Sequence, residues 1–165
     1  HDALPISDTS NNWGDAAAVA IGACDRCLIV GGSGETSGSS AAAVVSLAAR
    51  LGVPATRMTS VFNRLGGRGC GEEEALRFEM GTSLRSRVRI ADGGEDVRGM
   101  LSFGKLDALV AGNSAFAESV RTFAAQLLGE LGCSVDKRLM AASPQGETRG
   151  TKFRLPWRKR SGGAR

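Results

Sequence analysis

The sequence predicts an α/β fold built on a parallel sheet, and three observations carry that expectation. An apolar run ended by glycines, CLIVGG at 27–32, reads as a buried strand. A Gly/Ser-rich loop and an amphipathic helix follow, and a second strand-like run, VPATRMTSV at 53–61, completes the unit. Strand, loop, helix and strand over about 35 residues make a βαβ unit, and so short a helical crossover joins parallel strands.

The elements follow in order. The first strand is short and continuously apolar, the pattern of a strand covered on both faces. SGETSGSS at 33–40 is polar and reads as a loop. The helix over 39–52 places Val44, Leu47, Ala48 and Leu51 at i, i+3, i+4 and i+7, which is one face. Gly52 and then Pro54 stop it. Residues 62–84 read as a loop with a short helix from Glu72 to Met80, SRVRI at 86–90 as a third strand, and ADGGED as a turn. The segment 97–113 fits helix and strand equally. Residues 114–132 form the clearest helix, with Phe116, Val120, Phe123, Leu127 and Leu131 as a stripe, Asn113 or Ser114 as its cap, and Gly132 at its end. There is no internal repeat.

A chain of 165 residues suits one domain with a real core, and 42% hydrophobic with 23% charged residues is ordinary for a globular protein. No apolar run reaches membrane-spanning length and nothing resembles a signal peptide, so the expected location is the cytoplasm, away from any membrane. The formal charge of +4 is a property of one end. The last 17 residues hold seven Lys and Arg and no acid, and removing those seven from +4 leaves the rest at −3. The segment 149–165 reads as a basic, disordered tail, and Trp157 beside Arg158, Lys159 and Arg160 leaves nucleic-acid binding by that tail as a minor alternative. The four cysteines include one C-x-x-C, Cys24 to Cys27, but no second pair to complete a zinc site. Cys27 enters the strand rather than opening a helix, so it reads as a core residue, and neither metal nor cofactor is expected.

The heptad HDALPIS at 1–7 stands apart. Residues 1–6 and the start of Ser7 are what the end of a common sequencing adapter encodes, so the segment reads as a translated scar. On that reading the native part has no histidine, because His1 is the only one in the chain, and the native N-terminus lies further upstream.

GGSGETSGSS, between strand and helix, is the stretch with the most chemistry. In a parallel sheet it lies at the carboxyl edge of the strands, where ligands bind. Amides at the helix start favour an anion, and Ser33, Thr36 and Ser37 add hydroxyl donors. A phosphate suits that donor set. No Lys follows the glycines, so this is not a nucleotide P-loop, and Ser37 occupies the third glycine position of the dinucleotide fingerprint. A capped turn without a ligand remains the other reading of the same residues.

LIVGGSGETSGSSAAAVVSLAARLGVPATRMTS, residues 28–60, resembles the core of a sugar isomerase (SIS) domain, which has a strand, an S-x-S-G-E-T-like loop, a helix and a strand ending in TS. SDTSNNWGDAAAVAIGACDR upstream, and NSAFAESV and LLGELGCS downstream, resemble the 6-phospho-3-hexuloisomerase branch. The resemblance covers residues 8–148 as a partial SIS domain, strongly over 26–60 and weakly over 62–112. It implies a three-layer αβα sandwich with a flavodoxin-like sheet, incomplete at its N-terminal strand. It also implies a homo-oligomer, a tetramer in that branch, and interconversion of 3-hexulose 6-phosphate and fructose 6-phosphate through an enediol without metal or cofactor.

Carried over position by position, Ser33, Gly34, Glu35 and Thr36 match the S-G-E-T part, with Ser33 and Thr36 as phosphate donors and Ser37 beside them. Gly31 stands where the family has its first serine. The family's helix glutamate aligns on Ala117, and Glu118 one position on is the candidate base, turned by about 100° on a helix. The family's late His-containing ending has no match, and Pro144 stands near the His position. The resemblance therefore implies either an isomerase or a sugar-phosphate-binding module without chemistry, regulatory or a truncated copy. A sheet lacking its first strand would leave an edge unpaired and apolar helix faces uncovered, so the isolated chain is expected to be marginal or to depend on oligomer contacts.

Overall fold

The computed structural model describes residues 6–9, 14–34 and 36–134. His1 and most of the segment 1–7, Glu35, Pro144 and the basic tail 149–165 lie outside the described residues. The chain folds into an α/β structure around a three-stranded parallel sheet of order β1-β2-β3, with β1 Cys27–Gly31, β2 Met58–Leu65 and β3 Ser86–Ala91. Helix α1, Asp15–Ala23, precedes the sheet, and its alanines favour a helix. Helix α2, Ser37–Arg50, joins β1 to β2, and helix α3, Glu72–Thr82, joins β2 to β3. Helices α4 (Gly94–Ser102), α5 (Leu106–Ala111) and α6 (Ala115–Glu130) follow. The arrangement is compatible with an αβα sandwich.

The register assigns the faces. Cys27 pairs with Met58, Ile29 with Ser60, and Gly31 with Phe62, while Ser60 and Phe62 pair onward with Arg87 and Arg89. Side chains alternate along a strand, so all of these point the same way. Helices α2 and α3 cover that face at β1 and β2. Ile29, Met58 and Phe62 pack there with Ala41 and Ala48 of α2 and Ala75 and Phe78 of α3. Phe62 and Phe78 stack tilted, with ring centroids 5.8 Å apart. Over β3 the same face is charged. Glu79 of α3, only 5% exposed, receives Nε and Nη2 of Arg89 at 2.6 and 2.9 Å, and Arg89 Nη1 also reaches Glu72 at 2.6 Å.

The opposite face is covered more thinly. Ala91 N–H donates to Ser119 Oγ near the start of α6, and Arg26, just before β1, pairs with Glu130 in the last turn at 2.8 Å. Helix α6 therefore runs from the carboxyl end of β3 towards the start of β1. Ala117 and Arg121 are its buried positions. Arg121 is satisfied by donating to the Val110 and Gly112 carbonyls at the end of α5.

Several sequence expectations change. The second strand does not begin at 53: Pro54 opens a 3-10 turn over Ala55–Arg57, and the strand runs from Met58 to Leu65. The helix expected over 39–52 starts at Ser37 and ends at Arg50, and the one expected from Glu72 to Met80 continues to Thr82. Residues 97–113 contain no strand; a turn at Phe103–Gly104 separates α4 from α5. The first strand is not covered on both faces, because Val30 is 62% exposed. Among the described residues it is an edge strand, and α6 meets it through Arg26 at its opposite end. The stripe on α6 is likewise half-covered, with Val120 exposed, although Ser114 caps the helix as expected by accepting from Ala117 N–H at 3.2 Å.

Candidate functional site

The Gly/Ser loop leaves β1 at the carboxyl edge of the sheet and enters α2 with Thr36 as N-cap. Ser37 N–H donates to Gly34 O at 3.1 Å, and Ser39 Oγ to Thr36 O at 2.9 Å. The Thr36 hydroxyl makes no cap bond, so its oxygen accepts no hydrogen bond from the helix it caps. Helix geometry leaves the next amides, Gly38 and Ser39, without intrahelical acceptors.

The loop after β2 reaches the same place. Between Phe62 and Leu65 the ladder with β3 slips by one residue, and Arg64 takes a left-handed φ of 66° there. A bulge of this kind bends the strand end. Arg64 Nε meets Asp92 Oδ1 at 3.4 Å, Gly66 N–H donates to Cys70 O, and buried Cys70 anchors the loop. Gly69 is thereby set beside Ser33: a Cβ on Gly69 would lie 3.8 Å from that of Ser33.

Helix α3 supplies the far wall. A Cβ on Gly81 would lie 2.6 Å from Gly38 O, and one on Gly38 would lie 3.0 Å from Arg77 O, so α2 and α3 meet backbone to backbone. Between them and the two loops lies a cleft of about 550 Å³, lined by Gly34, Ser37, Gly38 and Ser39 on one side and by Gly69, Glu74, Arg77, Phe78 and Gly81 on the other. Arg77 Nη2 pairs with Glu73, and Glu74 Oε2 accepts from Gly71 N–H at the start of α3. Among the described residues the α3 wall thus includes one basic residue, Arg77, and one acidic residue, Glu74, opposite glycines and serines of the α2 wall.

Gly31 also acquires a reason. A Cβ there would stand 2.7 Å from Phe78 Cδ2 and 2.8 Å from Cζ. Any side chain at this position would collide with the Phe78 ring.

Of the residues singled out from sequence, Gly34 and Ser37 line the cleft, and Ser33 and Thr36 flank it. Glu118 does not line it. It is exposed in the first turn of α6, beyond β3, at the other edge of the sheet from β1. Glu74, Arg77, Phe78 and Gly81 were not foreseen. The signal available was the period of α3, where Ala75, Phe78, Glu79 and Thr82 are buried at i, i+3, i+4 and i+7 and place the remaining residues at the margin of a packed face.

The C-x-x-C cysteines sit elsewhere, against the main core. Cys24 Sγ donates to Ile21 O at 3.0 Å. Burial, and secondarily Cys24 beside it, pushes the Cys27 thiol up to about 11. A thiol protonated at neutral pH is a poor nucleophile. Among the described residues no cluster of His, Cys, Asp or Glu has the make-up of a metal site, and no helix is long and apolar enough to cross a membrane.

Comparison of the chain with protein-family models, with curated proteins and with solved structures finds no match.

Proposed function

We propose that this chain binds a phosphorylated sugar in the cleft between α2 and α3. The observation that carries the reading is the cleft itself, at the carboxyl edge of a parallel sheet, where the Ser33–Ser37 region opens onto the first turn of α2. A phosphate on that turn would meet helix-start amides and hydroxyl donors, and the remaining volume suits the sugar. The fold that goes with this reading is a flavodoxin-like SIS sandwich, and the assembly a homo-oligomer. Titration calorimetry with fructose 6-phosphate tests it, using Thr36→Ala as the comparison. Binding of fructose 6-phosphate, weakened about tenfold by the loss of the hydroxyl donor, is the expected result. Equal affinity for fructose and fructose 6-phosphate would rule the reading out.

The second reading adds isomerisation between 3-hexulose 6-phosphate and fructose 6-phosphate, and Glu74 favours it. An enediol route needs a base within hydrogen-bond reach of the carbon-bound proton. Among the described residues Glu74 is the carboxylate in the cleft wall, whereas Glu118 lies on the β3 side. Under this reading Glu74→Gln, which retains an oxygen for Gly71 N–H, abolishes interconversion of the two sugar phosphates while Glu118→Gln leaves it intact. The reverse pattern would return the role to Glu118.

A further inference from the structure

Helices α4 and α5 pack together and leave apolar surface that no other segment covers among the described residues. Val97 and Leu109 are the side chains the two helices bury. Leu101 at the end of α4, Phe103 in the turn, and Leu106 and Val110 on α5 stand exposed, the last two by more than half. Leu106 and Val110 are four apart, so they share one side of α5. The turn is tight: Phe103 N–H donates to Gly99 O, Gly104 N–H to Leu101 O and Lys105 N–H to Met100 O. A cluster of large apolar side chains on one short stretch of surface is a mark of an interaction site. We propose that this patch is where two copies of the chain pair about a two-fold axis. The proposal rests on the homo-oligomer of the reading above and not on its ligand.

Charge points to the occupant. Lys105 and Asp107 are the charged residues of the segment 101–110, and both are exposed. Neither side chain has a hydrogen bond or ion pair among the described residues. They stand on either side of Leu106 in the chain. In an isologous pairing each contact is made twice, residue i of one copy against j of the other and the reverse. With the axis near Leu106, Lys105 of each copy faces Asp107 of the other. Two ion pairs then border an apolar centre, as the polar rim of a protein interface borders its core. The segment has no net charge, so two copies do not repel there. An anionic membrane or a nucleic acid fits less well. Helices α4 and α5 carry Glu95, Asp96 and Asp107 against Arg98, with Lys105 between them, and Arg98 is already paired with Glu95 at 3.2 Å. The contact is small, so the pairing is weak and reversible.

Sedimentation velocity of the full chain over a concentration series tests the proposal, with circular dichroism melts showing that each variant is folded. The parent self-associates, and Phe103→Asp and Val110→Asp each weaken the association at least about tenfold. Asp107→Lys sets lysine against lysine and Lys105→Asp sets acid against acid, and each weakens it about tenfold. The double variant restores opposite charges and returns to within about threefold of the parent. Unspecific adhesion of apolar surface would not show that reversal. A parent that stays monomeric at every concentration would overturn both the proposal and the homo-oligomer. Association indifferent to Phe103→Asp and Val110→Asp would overturn this surface and leave the homo-oligomer standing. Loss in both single charge variants without recovery in the double would overturn the two-fold pairing.

Discussion

The two faces of the sheet are built to different standards. On the α2–α3 face, Met58, Phe62, Ala75 and Phe78 are essentially inaccessible, and Glu79 and Arg89 bond where the face turns charged. On the α4–α6 face, Phe103 is 79% exposed, and Leu101, Leu106, Val110 and Val30 also show much of their surface to solvent. The contrast tracks connection length. Helices α2 and α3 are crossovers between adjacent strands, so each is obliged to lie back on the sheet. Helices α4 and α5 lead to no further strand among the described residues, and only α6 is tied to the sheet at both ends. The well-packed face is also the one that carries the cleft, so the geometry of the site draws on the stiffest part of the molecule.

The largest expected loss comes from breaking that face. Phe78→Ala removes a ring that packs on Phe62 and fills the space over Gly31, and should cost about 3–5 kcal/mol in chemical denaturation. A loss below about 1 kcal/mol would show the two faces to be alike in packing. Next comes the charged corner. Arg89→Ala leaves Glu79 with only the distant Arg87, at 3.8 Å, and should cost about 2–3 kcal/mol, reduced from a fully buried pair because Arg89 is part exposed. The hydrogen bonds from Arg89 hold the Glu79 carboxyl below the usual carboxylate range. Its contribution is therefore complete above its unfolded value, about 4.3, and is lost as the pH falls through the lower folded value. Melts of Glu79→Gln across the acid range should show a flatter pH dependence than the parent. The smallest effect belongs to the open face. Phe103→Ser should change stability by less than about 0.5 kcal/mol, since little burial is lost. It should instead lower self-association measured by sedimentation, because exposed apolar patches promote it.

Legibility in the sequence follows the same division. Residues 27–52 were readable because the strand run, the loop and the α2 face each have a strong local period. Within residues 62–112, α3 and β3 were readable close to their observed bounds, but the end of β2 and the segment from 97 on were not. The end of β2 contains a bulge with Arg64 in a left-handed conformation, and alternation breaks there. Helices α4 and α5 are too short for their period to declare itself, since α5 has six residues. Arg87 and Arg89 lie on one face of β3, but nothing local in the sequence says that Glu79 covers it. The site divides likewise. Its β1–α2 wall is one continuous stretch of chain, whereas its α3 wall exists only because two helices pack together, and Arg77 and Glu74 gain their place from that packing.

The contact between Gly38 and Gly81 bears on which ligands can enter. With no side chain between them, the separation of the cleft walls is set by main-chain atoms, which cannot change rotamer to admit a larger guest. The two glycines therefore work as a fixed gauge. A single methyl at position 81 would act as a shim, prising α3 from α2 and resetting the width of the opening, so that ligand size preference would be tuned from a residue that offers the ligand no functional group of its own.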